Sequence, residues 1–194
     1  MIKKKIIKKN SDNKLLNLLF QSKCFYGEKK NKTNASNLPY IYGTRQNYSI
    51  IDLKYTLQNI KKVLLLIKNF ILNNKKILIV NNDKSTSFLL NKTILSKDNI
   101  YILNKDWTHG LLTNDKINFL LKEEGIDLII FIKPNKNFSD LLKETYNLKI
   151  PVVGVIDTSM DTSNITYPIL VNCKNLSSIY LITYLIRKTI INSK

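Results

Sequence analysis

Residues 76–80 read KILIV, residues 127–132 read DLIIFI and residues 151–156 read PVVGVI. Each run is short, apolar and rich in β-branched residues, which is typical of a strand buried on both faces. Residues 100–103 repeat the pattern, and residues 165–171 predict a further short strand. Apolar residues at helical spacing predict helices at 85–95, 115–124, 139–146 and 176–191. This alternation predicts an α/β fold with a doubly wound, flavodoxin- or Rossmann-like parallel sheet of four to five strands flanked by helices.

The residues before this alternating region predict a different pattern. We expect a short amphipathic helix at 12–22 and a polar loop at 23–38. Two short strands should follow at 40–42 and 48–51, joined by a turn at 43–47. Asp52 is a good N-cap for a long helix that ends near Asn73.

The charge of the chain is its most informative bulk property. Among 194 residues there are 31 Lys and Arg against 14 Asp and Glu, a formal charge of +17, yet 44% of the residues are hydrophobic. This length fits one domain, 1–194, with a basic N-terminal arm at about 1–10. A foldable domain with such an excess of positive charge predicts a polyanionic partner.

Composition also bears on the compartment. Lys, Asn and Ile dominate, and their codons are AT-rich, so part of the charge reflects a base-biased genome. Cys24 and Cys173 match no metal-binding spacing, which favours free thiols in a reducing compartment. No apolar run is long enough to span a membrane. Residues 1–9 resemble neither a secretory signal nor an organelle presequence. If the protein works in an organelle, we therefore expect it to be synthesised there.

Several kinds of catalytic site lack the residues that they need. The turn after the first core strand, 81–85, reads NNDKS, without a glycine-rich turn or a GK[ST] sequence to cradle phosphates. His109 has no nucleophile beside it in the sequence. Asp157 and Asp161 follow a strand, where α/β active sites form and a carboxylate can bind a metal, but turn formation is the simpler interpretation. These residues favour neither a bound cofactor nor a metal, so we expect none, and they leave a degenerate enzyme open.

Basic residues cluster at 3–9, 29–32, 61–62 and 75–76. Each cluster alone is ordinary for a solvated surface. Together, with Asn and Tyr between them and few acids nearby, they favour phosphate binding. Trp107 lies in a polar loop, where it either anchors the loop to the core or stacks on a base.

Three stretches resemble motifs of one protein family. Residues 38–53 read LPYIYGTRQNYSIIDL, residues 107–114 read WTHGLLTN, and residues 150–158 read IPVVGVIDT, followed by ITYPI at 165–169. In this order they resemble the S2 family of small-subunit ribosomal proteins, over about Leu15 to Ile191. The resemblance implies a structural protein that binds small-subunit ribosomal RNA and neighbouring ribosomal proteins near the mRNA exit. It implies no catalysis, no membrane partner and no homo-oligomer.

Departures from the family pattern refine the prediction. The residues Phe25-Tyr26-Gly27-Glu28 lack both histidines of the matching family motif. Only residues 115–126 separate the second motif from the next strand, so the long helical hairpin (a coiled coil) of bacterial members is expected to be missing. With the AT-rich composition, this resembles a mitochondrial member, encoded in the organelle and located in the mitochondrial matrix. A plastid member is the alternative.

The predicted RNA contacts lie in the N-terminal run and in surface loops. Arg45 matches a family arginine and is the first candidate, because a guanidinium grips phosphate with two hydrogen bonds or stacks on a base. The full set is Lys3, Lys4, Lys5, Lys8, Lys9, Lys29, Lys30, Lys32, Arg45, Gln46, Asn47, Lys84, Lys105, Trp107, His109 and Asn114. Two other interpretations stay open: a degenerate α/β nucleotide-binding enzyme with its ligand near Asn81, Lys84 and Asp157, and a non-ribosomal accessory factor that binds RNA or DNA.

Overall fold

A parallel sheet and a small antiparallel sheet form the framework of the chain. The computed structural model describes residues 2–81, 86–87, 90, 99–104, 107–108, 110–112, 125–133 and 138–193, with side chains from residue 12 onward. Along these residues the elements are α1 (Ile2–Gln21), β1 (Tyr26–Lys29), β2 (Ile41–Arg45), β3 (Tyr48–Ile51), α2 (Leu53–Leu72), β4 (Ile77–Asn81), β5 (Ile100–Leu103), β6 (Leu128–Ile132), α3 (Phe138–Asn147), β7 (Val152–Ile156), β8 (Tyr167–Leu170) and α4 (Leu176–Asn192). Two 3₁₀ turns, Lys30–Lys32 and Ala35–Tyr40, connect β1 to β2.

The parallel sheet confirms the predicted fold class. Its five strands lie in the order β5-β4-β6-β7-β8, and every neighbouring pair is parallel. This is the flavodoxin-type order of doubly wound folds. Every residue of β4, β6 and β7 is buried, which explains why their sequences are apolar without alternation. The short strand expected within 165–171 is β8.

Helices cover both faces of the parallel sheet. On one face, Ile77 and Ile79 belong to a hydrophobic cluster with side chains of α1, α2 and α4. On the other face, Leu78 and Val80 belong to a cluster with Trp107 and with side chains of α3. Alternate residues of one strand thus supply two cores, as a doubly wound sheet requires.

Local signals position the helices that flank the sheet. The Asp52 carboxylate accepts a hydrogen bond from Lys54 N at 2.8 Å, so the predicted N-cap of α2 is confirmed. The helically spaced isoleucines of α4, Ile179, Ile182, Ile186 and Ile190, are all buried.

The antiparallel sheet, with the strand order β1-β3-β2, differs from the sequence prediction in two ways. The stretch 23–38 is not simply a loop, because it contains β1, an edge strand whose backbone pairs with β3 and needs no apolar alternation. The turn is shorter than 43–47: Gly43, Thr44 and Arg45 stay in β2, and only Gln46 and Asn47 adopt the positive φ of a tight hairpin turn, at 49° and 64°.

The N-terminal helix is longer than predicted, since α1 already begins at Ile2 rather than near residue 12. Residues 3–9 carry little apolar periodicity, but Lys is a good helix former and the segment holds no Gly or Pro. The helices predicted at 85–95 and 115–124 lie largely outside the described residues. Within the part that is described, no helix is long and apolar enough to cross a membrane.

Candidate functional site

The antiparallel sheet brings the basic cluster at 29–32 next to Arg45 of the hairpin between β2 and β3. Lys29 in β1 and Arg45 in β2 both pair with Tyr48 of the central strand β3, on opposite sides of it. Residues opposite one another in an antiparallel ladder point to the same face, so the two cations flank the Tyr48 ring on one face of the sheet. We call the exposed side chains at this end of the sheet the basic edge: Lys29, Lys30, Lys32, Arg45, Gln46 and Asn47.

The hairpin turn shapes the basic edge. Lys30 N donates a hydrogen bond to the Asn47 carbonyl at 2.8 Å, which ties the 3₁₀ turn after β1 to the β2–β3 turn. A hollow of about 490 Å³ lies between Lys29, Lys30, Asn31 and Asn47. Its rim presents ammonium groups and side-chain amides, both of which donate hydrogen bonds to phosphate oxygens.

The acid closest in sequence to this edge is paired. The Glu28 carboxylate forms a salt bridge with Lys174 at 2.5 Å and is largely buried, with its side chain 12% exposed. Its hydrogen bond raises the pKa of the Lys174 ammonium. Because Lys174 neutralises Glu28, this carboxylate reduces the positive potential of the basic edge less than an unpaired carboxylate would.

A line of hydrogen bonds, which we call the seam, fixes the antiparallel sheet to the carboxyl end of β7. Thr158 is its centre: its hydroxyl accepts from Glu28 N at 2.8 Å, and its carbonyl accepts from Asn34 N at 2.9 Å and from Asn37 Nδ2 at 2.8 Å. Gly27 lies directly against Thr158, since a Cβ at Gly27 would stand 2.7 Å from Thr158 Cγ2. The seam therefore positions β1, and with it Lys29, on the core.

Trp107 is an anchor of its loop. Its ring is 1% exposed, and its Nε1 donates to Glu144 of α3 at 3.4 Å. The same carboxylate accepts from Gly110 N at 2.7 Å and from Leu112 N at 3.0 Å. The prediction that Trp107 stacks on an RNA base is corrected here, because the buried ring offers no face to a base, and the alternative of a core anchor fits.

The carboxylates after β7 serve the fold. Asp157 is 7% exposed, and its oxygens accept from Thr158 N at 2.7 Å and from Cys173 N at 3.2 Å. Burial raises its pKa, against these hydrogen bonds. The Asp161 carboxylate accepts hydrogen bonds from the Ser163 hydroxyl and from Ser163 N, and these two bonds, the hydroxyl's first, lower its pKa. The Asp161 arrangement is the turn that the simpler interpretation predicted, whereas the Asp157 carboxylate links the end of β7 to Cys173.

Neither thiol is arranged as a nucleophile. Cys24 and Cys173 are both buried and reduced, and burial raises the pKa of each, that of Cys173 strongly. A neutral buried thiol is a poor nucleophile and metal ligand. Among the described residues, no group of three His, Cys, Asp or Glu side chains is placed to hold a metal ion.

The remaining predicted contacts divide into two sets. Lys3, Lys4, Lys5, Lys8 and Lys9 lie in the first turns of α1, where the structure describes the backbone only. Lys84, Lys105, His109 and Asn114 lie outside the described residues.

Sequence reasoning missed three residues that build this region: Tyr48 between the two cations, Glu144 beneath the Trp107 loop, and Thr158 in the seam. For Tyr48, the predicted strand at 48–51 already placed the side chain on the same face of the sheet as that of Ile50, because alternate residues of a strand share a face. For Glu144, a carboxylate beside Leu141, Leu142 and Thr145 on the buried side of α3 was the available signal.

Comparison with known proteins identifies the family. The family model described as Ribosomal protein S2 matches residues 19–123 and 122–193. The chain is 28% identical to the small ribosomal subunit protein uS2 of Bartonella tribocorum, over 78% of this chain and 72% of that one. It is 26% identical to uS2m of Acanthamoeba castellanii, over 92% of this chain and 58% of that one, and 23% identical to uS2c of Cyanidium caldarium, over 92% and 90%. With most of its length matched by the family model, the chain belongs to the ribosomal protein S2 family of the small ribosomal subunit.

Proposed function

We propose that the chain is a structural constituent of the small subunit of a mitochondrial ribosome, where it binds ribosomal RNA and neighbouring ribosomal proteins and catalyses no reaction. The observation that carries this proposal is the basic edge, in which a hairpin turn and an edge strand gather exposed cations and amides around Lys29 and Arg45. The relatives are themselves named as small ribosomal subunit proteins.

The basic edge would bind the RNA backbone through charge and hydrogen-bond geometry. Lys29 and Lys30 supply point charges, and Arg45 supplies a planar fork that suits phosphate. Each neutralised phosphate releases condensed counterions, so the logarithm of the affinity falls with the logarithm of the salt concentration by about 0.7 per contact on single strands. The lysines at the start of α1 would add to this attraction from a helix.

The mitochondrial location rests on composition and on one short segment. The excess of Lys, Asn and Ile fits an AT-rich organelle genome, and residues 115–126 leave little room for the helical hairpin of bacterial members. The uS2m relative is as similar as the bacterial one, and the uS2c relative keeps a plastid location as the alternative. A position near the mRNA exit belongs to the same proposal.

Sedimentation tests the proposal. We expect the wild-type chain to co-migrate with the small subunit of lysed, purified mitochondria, even after a wash at high salt. Recovery only as free protein would reject the assignment, and co-migration only with the small subunit of a parallel plastid lysate would reject the mitochondrial compartment. At the residue level, the Arg45→Ala chain should assemble less well into small subunits, whereas Lys68→Ala, which removes an exposed cation from α2, should assemble normally. Equal assembly of both variants would remove Arg45 from the RNA contacts.

A further inference from the structure

An aromatic groove opens on the antiparallel sheet next to the basic edge. It has a volume of about 470 Å³, and its aromatic lining is Phe20, Phe25, Tyr26 and Tyr42. These rings are unusually accessible for such large side chains: Tyr42 is 80% exposed, Phe20 is 60% exposed and Tyr26 is 45% exposed. Clustered exposed aromatic side chains mark binding surfaces, whereas isolated ones do not.

The strand register places this groove on the same face as the basic edge. Tyr26 and Gly43 both pair with Ile50, as Lys29 and Arg45 both pair with Tyr48. Because Ile50 and Tyr48 are two residues apart in β3, their side chains point to one face of the sheet. Ser49 and Ile51, on the opposite face, are 1% exposed and packed against the protein. One outer face therefore carries Tyr26, Ile50 and Gly43 in one row and Lys29, Tyr48 and Arg45 in the next, which we call the cationic row; Arg45 borders the groove itself.

The rings are arranged to continue a stack. Phe20 and Phe25 are parallel to within 13°, with their centroids 4.9 Å apart, and Phe25 contacts Tyr26 at 4.5 Å. The floor stays open at Gly43, where an added Cβ would meet nothing within 4 Å. A planar group that enters beside Tyr42 or Phe20 gains a stacking surface, and a phosphate attached to it reaches the cationic row.

We propose that the aromatic groove binds unpaired bases of single-stranded RNA, whose phosphates are held by Lys29 and Arg45. This inference rests on the proposed function and narrows it to unpaired nucleotides. Bases in an A-form duplex are stacked on each other and do not present their faces to protein rings, while unpaired bases stack readily on aromatic side chains. The charge of +17, the Arg45 guanidinium at the groove and Lys29 in the cationic row favour RNA over an apolar protein segment. The one acidic residue that borders the groove in the described chain, Asp52, is engaged as the cap of α2.

Binding of two RNA probes to the full chain tests the groove. The probes are an oligouridine of about 10 nucleotides, within the site size of one single-strand-binding domain, and an RNA duplex of the same length. We expect Tyr42→Ala to weaken binding of the oligouridine about tenfold, because it removes the stacking surface of one base, and to leave duplex binding unchanged. Tyr42→Phe keeps the ring and should bind like the wild type. Tyr146→Ala, which removes a tyrosine that is 75% exposed on α3, is the matched control and should have no effect.

The outcomes separate this inference from the proposed function. If Arg45→Ala weakens binding of both probes while Tyr42→Ala changes neither, RNA binding stands and the groove is rejected as a base site. If the wild-type chain binds neither probe, the proposed function fails first. If Tyr42→Ala leaves oligouridine binding intact but releases a neighbouring protein from purified small subunits, the groove docks a protein and the inference is wrong.

Discussion

Gly27 should be the position at which a single added methyl group most directly disturbs the basic edge. In the Gly27→Ala variant, the new Cβ would lie 2.7 Å from Thr158 Cγ2, 2.8 Å from Thr158 Oγ1 and 3.0 Å from the Ser49 carbonyl oxygen. Two of these atoms belong to one β-branched side chain and the third to the backbone, so the contact is relieved only by moving β1 or the turn after β7. Such overpacking costs about 1–3 kcal/mol.

A hydrogen bond adds to this cost. Movement of β1 away from Thr158 lengthens the bond from Glu28 N to the Thr158 hydroxyl, which contributes about 1 kcal/mol. We therefore expect Gly27→Ala to lower the free energy of unfolding by about 3 kcal/mol in total, which corresponds to a Tm lower by roughly 6–12 °C for a chain of this size.

Urea unfolding followed by the fluorescence of Trp107 measures this change, because the ring is 1% exposed in the native state and reports its loss of burial. Gly43→Ala is the matched control, since it adds the same methyl group in the same sheet where nothing lies within 4 Å, and should change stability by less than about 0.5 kcal/mol. Thr158→Ser removes Cγ2 and so relieves part of the contact. The double variant Gly27→Ala, Thr158→Ser should therefore have a free energy of unfolding about 1 kcal/mol higher than the sum of the two single changes predicts. Equal stability of the Gly27→Ala and Gly43→Ala chains would refute the argument.

Two further predictions concern carboxylates that stabilise the fold. Glu144→Gln should lower the Tm, because an amide has only one acceptor oxygen for the N–H groups of Gly110 and Leu112, and the loss of a buried partner costs about 1–3 kcal/mol. Lys143→Gln, an exposed change on the same helix, should keep the Tm of the wild type. An equal loss of Tm in both variants would contradict the role of Glu144. Burial alone would raise the pKa of Asp127, but hydrogen bonds from Lys76 N and the Lys75 ammonium outweigh it and lower that pKa below 3.8. A lowered folded-state pKa means that the stabilisation is complete above pH 3.8 and disappears as the pH falls through the folded value. Asp127→Asn should therefore be less stable than the wild type at pH 7 in urea titrations and equally stable in strong acid; a difference that persists in acid would show that the charge is not its source.

The parallel sheet was predictable because its signals are local. A strand buried on both faces needs a continuous apolar run, and the chain shows this directly in β4, β6 and β7. The N-cap of α2 is equally local, since one side chain, Asp52, satisfies an amide two residues further on.

The antiparallel sheet was only partly predictable because its stability comes from distant partners. Strand β1 carries a Gly and two charged residues in four positions, and it is held by pairing with β3 and by the bond from Glu28 to Thr158, 130 residues away. No local pattern encodes such a contact. The burial of Trp107 depends in the same way on Glu144, 37 residues further along the chain.

The seam and the basic edge draw on different stretches of the chain. Residues 25–28 and 150–158 meet at Gly27 and Thr158, where the hydrogen bond from Glu28 N to the Thr158 hydroxyl positions β1. Residues 38–53 supply Tyr42, Arg45 and Tyr48, which are exposed. On the proposed function, Lys29 would lose less conformational freedom on binding RNA than a lysine on a mobile loop, because hydrogen bonds already fix β1. A change in the seam, such as Gly27→Ala, should therefore weaken RNA binding without removing any RNA contact, and the loss should exceed that of removing a lysine remote from the edge.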